Sequence, residues 1–187
     1  MGSWNGASYT GVTGLIARGY AFGEWTGSGV VTTMPQARSG VATLAVAEAA
    51  DTLFITGNET ALWGGQTVDA TTVLVKYTYA GDVNLDGSID GADYGTIDNY
   101  VQFPGTSGYI NGDINYDGVI DGADYGLIDN SIQLQGAPFP SGTYPGFAGV
   151  TAVPEPASLS VLGVAAAASW LGKRSRRRSA AARLRVR

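Results

Sequence analysis

The chain states one motif twice. Gly81-Asp82-Val83-Asn84-Leu85-Asp86-Gly87-Ser88-Ile89-Asp90-Gly91-Ala92-Asp93-Tyr94 returns, 31 residues later, as Gly112-Asp113-Ile114-Asn115-Tyr116-Asp117-Gly118-Val119-Ile120-Asp121-Gly122-Ala123-Asp124-Tyr125. The match continues through the Ile-Asp-Asn that closes each copy at Asn99 and Asn130. A repeat of this kind constrains the fold more than any average property. Each copy is one supersecondary unit that cannot bury its own apolar face, so the two must pack together or against a neighbour.

Within each copy, side-chain oxygens fall at positions 1, 3, 5, 9 and 12 of a loop with glycine at position 6. That spacing suits a hard cation. Calcium takes six to eight oxygen ligands, and a loop surrounds it by presenting alternate residues and one backbone carbonyl. The candidate ligands are Asp82, Asn84, Asp86, Asp90 and Asp93 with the Ser88 carbonyl, then Asp113, Asn115, Asp117, Asp121 and Asp124 with the Val119 carbonyl. The aspartate at position 9 would act through a water. Gly87 and Gly118 sit where the chain turns sharply. The alternative, that these are only polar Asp/Asn/Gly turns, fits one copy better than two in register, with isoleucine at position 8 in both.

Position 12 is aspartate rather than glutamate. A helical pattern follows each loop, starting near Gly91 and Gly122, but Val73–Tyr79 ahead of the first loop reads as a strand. A duplicated calcium loop with exit helix and Asp at position 12 resembles the type I dockerin family, over about 50 of the 187 residues. The resemblance implies two calcium ions and a cohesin-like partner, which would meet positions 10 and 11 of each loop. Those are Gly91, Ala92, Gly122 and Ala123, where many dockerins carry hydroxyl residues. Because the copies match, the partner could bind in either of two orientations. The apolar residues of the exit helices, Tyr94, Ile97, Tyr100 and Val101, then Tyr125, Ile128 and Ile132, recur at three and four. They suit a seam between the two helices better than a partner-binding face.

Composition narrows the chemistry. The chain has no Cys and no His, which removes thiol nucleophiles, Ser-His-Asp triads, zinc sites of thiolate or imidazole, and disulfides. Ten of the 16 acids lie between Asp82 and Asp129, whereas eight of the 11 bases lie from Lys173 onward. Only Arg18, Arg38 and Lys76 precede that tail, too few for a nucleic-acid footprint.

Residues 1–80 are rich in Gly, Thr, Ala and aromatics. Gly14–Tyr20 suits a short helix. In Thr43–Ala49, alternation and the nearby strand favour a β-pair with Val73–Tyr79 over alanine's helix preference. About 75 residues bury a modest core, so the segment reads as the end of a larger β-rich domain. Its acids, Glu24, Glu48, Asp51, Glu59 and Asp69, form no pair with a supporting constellation and read as surface carboxylates, not as a glycosidase pair. No basic and apolar leader opens the chain, so it reads either as cytoplasmic or as the end of a longer polypeptide.

After a Gly/Pro/Ser-rich linker come Pro154-Glu155-Pro156, the apolar stretch Ala157–Gly172 and an arginine cluster from Lys173. This order resembles the bacterial PEP-CTERM sorting signal, which implies export and cleavage by an exosortase. The apolar stretch is slightly short of a full span of roughly 20 residues, yet the basic tail is the expected positive-inside anchor. The alternative is a buried alanine-rich helix with a basic tail.

The expected architecture is α+β: a small β-containing module over 1–80, a mainly α dockerin-like pair of EF-hand-type loop–helix units over 81–135, a linker over 136–153, and a sorting and anchor segment over 154–187 with a short transmembrane helix. The expected function is attachment, not catalysis. The chain would be a calcium-binding module of an exported surface protein that docks a cohesin-like partner in polysaccharide degradation or adhesion. The competing readings are a calcium-stiffened structural spacer and the non-catalytic tail of a glycoside hydrolase.

Overall fold

The computed structural model describes residues 1–140. The described part falls in one compact unit. The chain is α+β, with helices α1 (Gly11–Tyr20), α2 (Pro35–Arg38), α3 (Ala49–Leu53), α4 (Gly91–Tyr100) and α5 (Gly122–Gln133). The strands are β1 (Ala42–Glu48), β2 (Thr60–Trp63), β3 (Gln66–Asp69) and β4 (Val73–Tyr79). None of the helices among the described residues is long and apolar enough to cross a membrane. The stretch Ala157–Gly172 and the Pro154-Glu155-Pro156 motif lie outside the described residues.

β1 and β4 pair antiparallel from Ala42 opposite Tyr79 to Glu48 opposite Val73, so Thr43–Ala49 resolves as strand over most of its length. β1 is buried on nearly every position because its residues are small or β-branched. β2 and β3 form a hairpin over Gly64-Gly65, both at positive φ, as the two-residue hairpin turn requires. That hairpin covers a small cluster of Ala49, Ile55, Val68 and Leu74.

The main core is shared by the N-terminal segment and the repeat. Tyr9, Ile16 and Trp25 join Val83, Leu85, Ile89, Ile97, Ile114, Ile120 and Ile128 in one cluster. Tyr116, at position 4 of the second loop, donates its hydroxyl to the Leu44 carbonyl of β1 at 2.5 Å and stacks on Tyr109 with centroids 5.6 Å apart. The stretch after α5 lies along the first loop. Phe139 N donates to the Gly87 carbonyl at 2.8 Å, and the Phe139 ring packs on Tyr77 and Tyr79. Gln135 bonds both backbone groups of Ile89. The first residues of the linker are therefore packed against the repeat.

The two copies meet as near equivalents. Tyr94 donates to Asp129 at 2.6 Å, and its counterpart Tyr125 donates to Asp98 at 2.5 Å. Ile97 packs on Gly112, which opens the second loop, and Ile128 packs on Gly81, which opens the first. A Cβ on Gly112 would lie 2.9 Å from Ile97, and one on Gly81 would lie 2.6 Å from Ile128. Both isoleucines are fully buried. The apolar seam is narrower than the sequence periodicity suggests: Val101 and Ile132 are exposed at 39% and 37%. They lie near the helix ends, past the turn where α4 and α5 face the opposite loop.

Candidate metal centre

Each loop is built by its own short-range hydrogen bonds. In the first, Asn84 Oδ1 accepts from Asp86 N and Asp86 Oδ1 from Ser88 N, at 2.8 and 2.9 Å. The second repeats this with Asn115, Asp117 and Val119 at 2.8 and 2.9 Å. Position 4 must take a left-handed conformation to close the turn, and it does so with a side chain in both loops: Leu85 at φ 62° and Tyr116 at φ 61°. Left-handed backbone disfavours a residue with Cβ; burial of both side chains in the core offsets that cost.

The aspartates at positions 9 and 12 start the exit helices. Asp90 accepts from Ala92 N and Asp121 from Ala123 N, both at 2.7 Å. In return Asp93 accepts from Asp90 N at 3.0 Å and Asp124 from Asp121 N at 2.9 Å, which makes a capping box at each helix. The other oxygen of each position-12 carboxylate accepts two further amides, from Val83 and Asn84 in the first loop and from Ile114 and Asn115 in the second. The side chains at positions 3 and 5 bond each other, Asn84 to Asp86 and Asn115 to Asp117. With the acidic groups thus turned onto amides, no group of three or more Asp, Glu, His or Cys side chains among the described residues is gathered to hold a metal ion.

The donor set still fits calcium. Asp82 and Asp113 at position 1, and Asp93 and Asp124 at position 12, are fully buried. Asp82 Oδ2 accepts from Gly87 N at 2.9 Å, while Asp82 Oδ1 is buried with no partner. A buried carboxylate oxygen without a partner is costly, and a ligand would satisfy it. Burial pushes all four carboxyls up, Asp93 and Asp124 to about 6. Buried carboxyls in low dielectric disfavour their own ionised state, and a divalent ion reverses that preference. Calcium bound here would be held by the oxygens named from the sequence. It would supply the positive charge that lets these acids ionise inside the fold.

Three residues outside the repeat reach the position-1 carboxylates. Thr78 donates to Asp82 Oδ2, and Lys76 Nζ lies 3.6 Å from the same oxygen and donates to the Leu85 carbonyl at 2.8 Å. At the second loop the hydroxyl comes from Tyr9, which donates to Asp113 Oδ2 and accepts from Gly108 N at 2.6 Å. Trp4 lies directly over Gly118, where a Cβ would come within 2.2 Å of the indole. Sequence reasoning missed these contacts. Lys76 alone left a signal, as a single basic residue in an otherwise apolar or neutral strand and the only base between Arg38 and Lys173.

The expected partner-facing residues all reach solvent. Gly91, Ala92, Gly122 and Ala123 are exposed, and a Cβ on either glycine would meet nothing within 4 Å. Beside the second copy, Ala123 and Leu127 border a groove of about 640 Å³ that Trp4, Tyr20, Phe22 and Arg18 wall from the other side. Three acids of the N-terminal segment have structural partners. Glu48 pairs with the N-terminal ammonium at 3.2 Å, Glu59 accepts from Thr56, and Asp69 caps a turn through Thr71 and Thr72.

No curated protein and no solved structure matches the chain. Residues 80–133 match the family model of the dockerin type I domain, and together with the paired loops and their capped exit helices this makes that part of the chain a dockerin-like, calcium-binding interaction domain.

Proposed function

We propose that residues 81–135 bind two calcium ions, one per loop, and dock a cohesin-like partner through the first turns of α4 and α5. The observation that carries this reading is the open space over Gly91 and Gly122 and the exposure of Ala92 and Ala123 beside them, next to loops whose position-1 and position-12 aspartates are buried. A partner backbone can approach these small residues closely, and the shared pattern lets it do so at either copy. Replacing Ala92 and Ala123 together with arginine should leave calcium uptake intact, since neither is a ligand. The same change should abolish partner capture from native extracellular extract, because two bulky charges enter a close contact. Either single change should matter much less. Equal capture by wild type and the double variant would rule this face out.

The chain acts by attachment rather than catalysis, and serves an exported surface protein engaged in polysaccharide degradation or adhesion. Export and anchoring rest on the order of Pro154-Glu155-Pro156, Ala157–Gly172 and the arginine cluster. An exosortase-type protease would cut near the motif, and the apolar stretch would hold the uncut chain in the membrane. Mass spectrometry of the mature protein from its native source should find a C-terminus near Pro156. Soluble protein that still ends at Arg187 would refute it. The spacer reading draws support from the core that the repeat shares with the N-terminal segment, and it gains if the arginine variants change nothing.

A further inference from the structure

The repeat makes the two loops look interchangeable, but what surrounds them is not. Strand β4 alternates its side chains between faces, and Leu74, Lys76 and Thr78 all point inward, each at most 3% exposed. Because β4 runs directly into the first loop, this face delivers Lys76 and Thr78 to Asp82. The residue 31 positions after Lys76 is Ser107, which carries no charge. Around Asp113, Oδ2 receives the Tyr9 hydroxyl and Gly118 N, and Oδ1 receives Asp117 N at 3.1 Å. Among the described residues no cation pairs with Asp113.

We propose that Lys76 makes the two calcium loops unequal: an internal cation against Asp82 weakens the first loop, and the second, whose position-1 carboxylate meets only neutral donors, fills first. The inference rests on the calcium reading given above. Its physical basis is charge. Each loop offers four carboxylates, but in the first one is already faced by an ammonium 3.6 Å away. Lys76 cannot swing into solvent to make room, because it is buried and its Nζ is held by the Leu85 carbonyl. Buried charges are poorly screened, so the ammonium opposes an arriving divalent ion at nearly full strength. The amide that Asp113 Oδ1 accepts is a smaller handicap, since a carboxylate oxygen keeps a second lone pair for a metal. The same lysine holds the first loop together before any ion arrives.

The test is a calcium chloride titration of the full chain, followed by the NMR amide shifts of Gly87 and Gly118, the position-6 glycine of each loop. In the wild type Gly118 should reach its bound shift first, with Gly87 needing at least about tenfold more calcium, as a nearby poorly screened unit charge implies. In K76M, which keeps the apolar stem, the Gly87 midpoint should fall to that of Gly118 while the latter stays put. K76Q removes the charge but keeps a donor for the loop, and should give the same result if K76M does not fold. Coincident midpoints in the wild type, Gly87 filling first, or an unmoved Gly87 midpoint in a folded Lys76 variant would each overturn the inference. Shifts at neither glycine in the wild type would overturn the calcium reading itself, and this inference with it.

Discussion

Withdrawing calcium from the full chain should cost most of its stability. Each site filled at about a thousand times its dissociation constant contributes about 4 kcal/mol, so two contribute about 8. Domains of this size hold only about 5–15 kcal/mol in total. In chelator, helicity over α4 and α5 should fall and the melting temperature should drop steeply. Calorimetry of the refilled protein should count two ions. The full chain is the right object, because Tyr9, Lys76 and Thr78 reach the loops from outside the repeat. Identical spectra and melting curves in chelator and in excess calcium would end the calcium reading.

The same measurement has a signed pH dependence. Asp93 and Asp124 have carboxyls raised by burial from 3.8 to about 6 in the absence of metal. A group raised in the folded state gives stability that is present below its unfolded value and lost as pH rises through its folded value. For these two groups the metal-free chain should thus weaken between about pH 4 and pH 6, by roughly 2–3 kcal/mol per carboxylate. Calcium needs the ionised form, so its affinity should fall as pH drops through about 6. The stabilising increment from calcium should be clearly larger near pH 7 than near pH 5. An increment that does not change between those two values would contradict the burial argument.

The second large effect lies where the copies interlock. Ile97 and Ile128 are fully buried, each against the glycine that opens the opposite loop. Ile97→Ala or Ile128→Ala removes packed methyl groups and leaves a cavity, which costs about 2–5 kcal/mol. Because Gly81 and Gly112 have no Cβ and sit at φ 115° and 112°, the backbone there cannot readily collapse into the space. The two variants should cost nearly the same, since each isoleucine plays the same part. Val101→Ala and Ile132→Ala, on the exposed helix ends, should each cost less than about 1 kcal/mol. Denaturant unfolding in saturating calcium gives all four values. If Val101→Ala proves as costly as Ile97→Ala, the seam has been misplaced.

The loops and their helices were legible in the sequence because everything that makes them is local. Ligand spacing and the sharp turn at position 6 are set within twelve residues, and the second copy repeats them in register. The β1–β4 pair was legible for a related reason: alternation in one strand favoured its neighbour over alanine's helix preference. The width of the seam was not legible. Periodicity groups Val101 and Ile132 with Ile97 and Ile128, yet only tertiary packing decides how far along a helix the neighbour extends.

Nor could the repeat reveal its own asymmetry. By sequence alone the two position-1 aspartates are equivalents. Tertiary structure brings Tyr9 to Asp113 across 104 residues and turns Lys76 inward beside Asp82. A hydroxyl on a distant tyrosine leaves no periodic trace. A lysine in a strand shows its residue type but not whether its ammonium meets water or a carboxylate. The sequence therefore determined two oxygen-rich loops with the means to hold a divalent ion. The fold decided how much opposing charge each loop already carries, because burial and proximity, not spacing along the chain, set the strength of an electrostatic interaction.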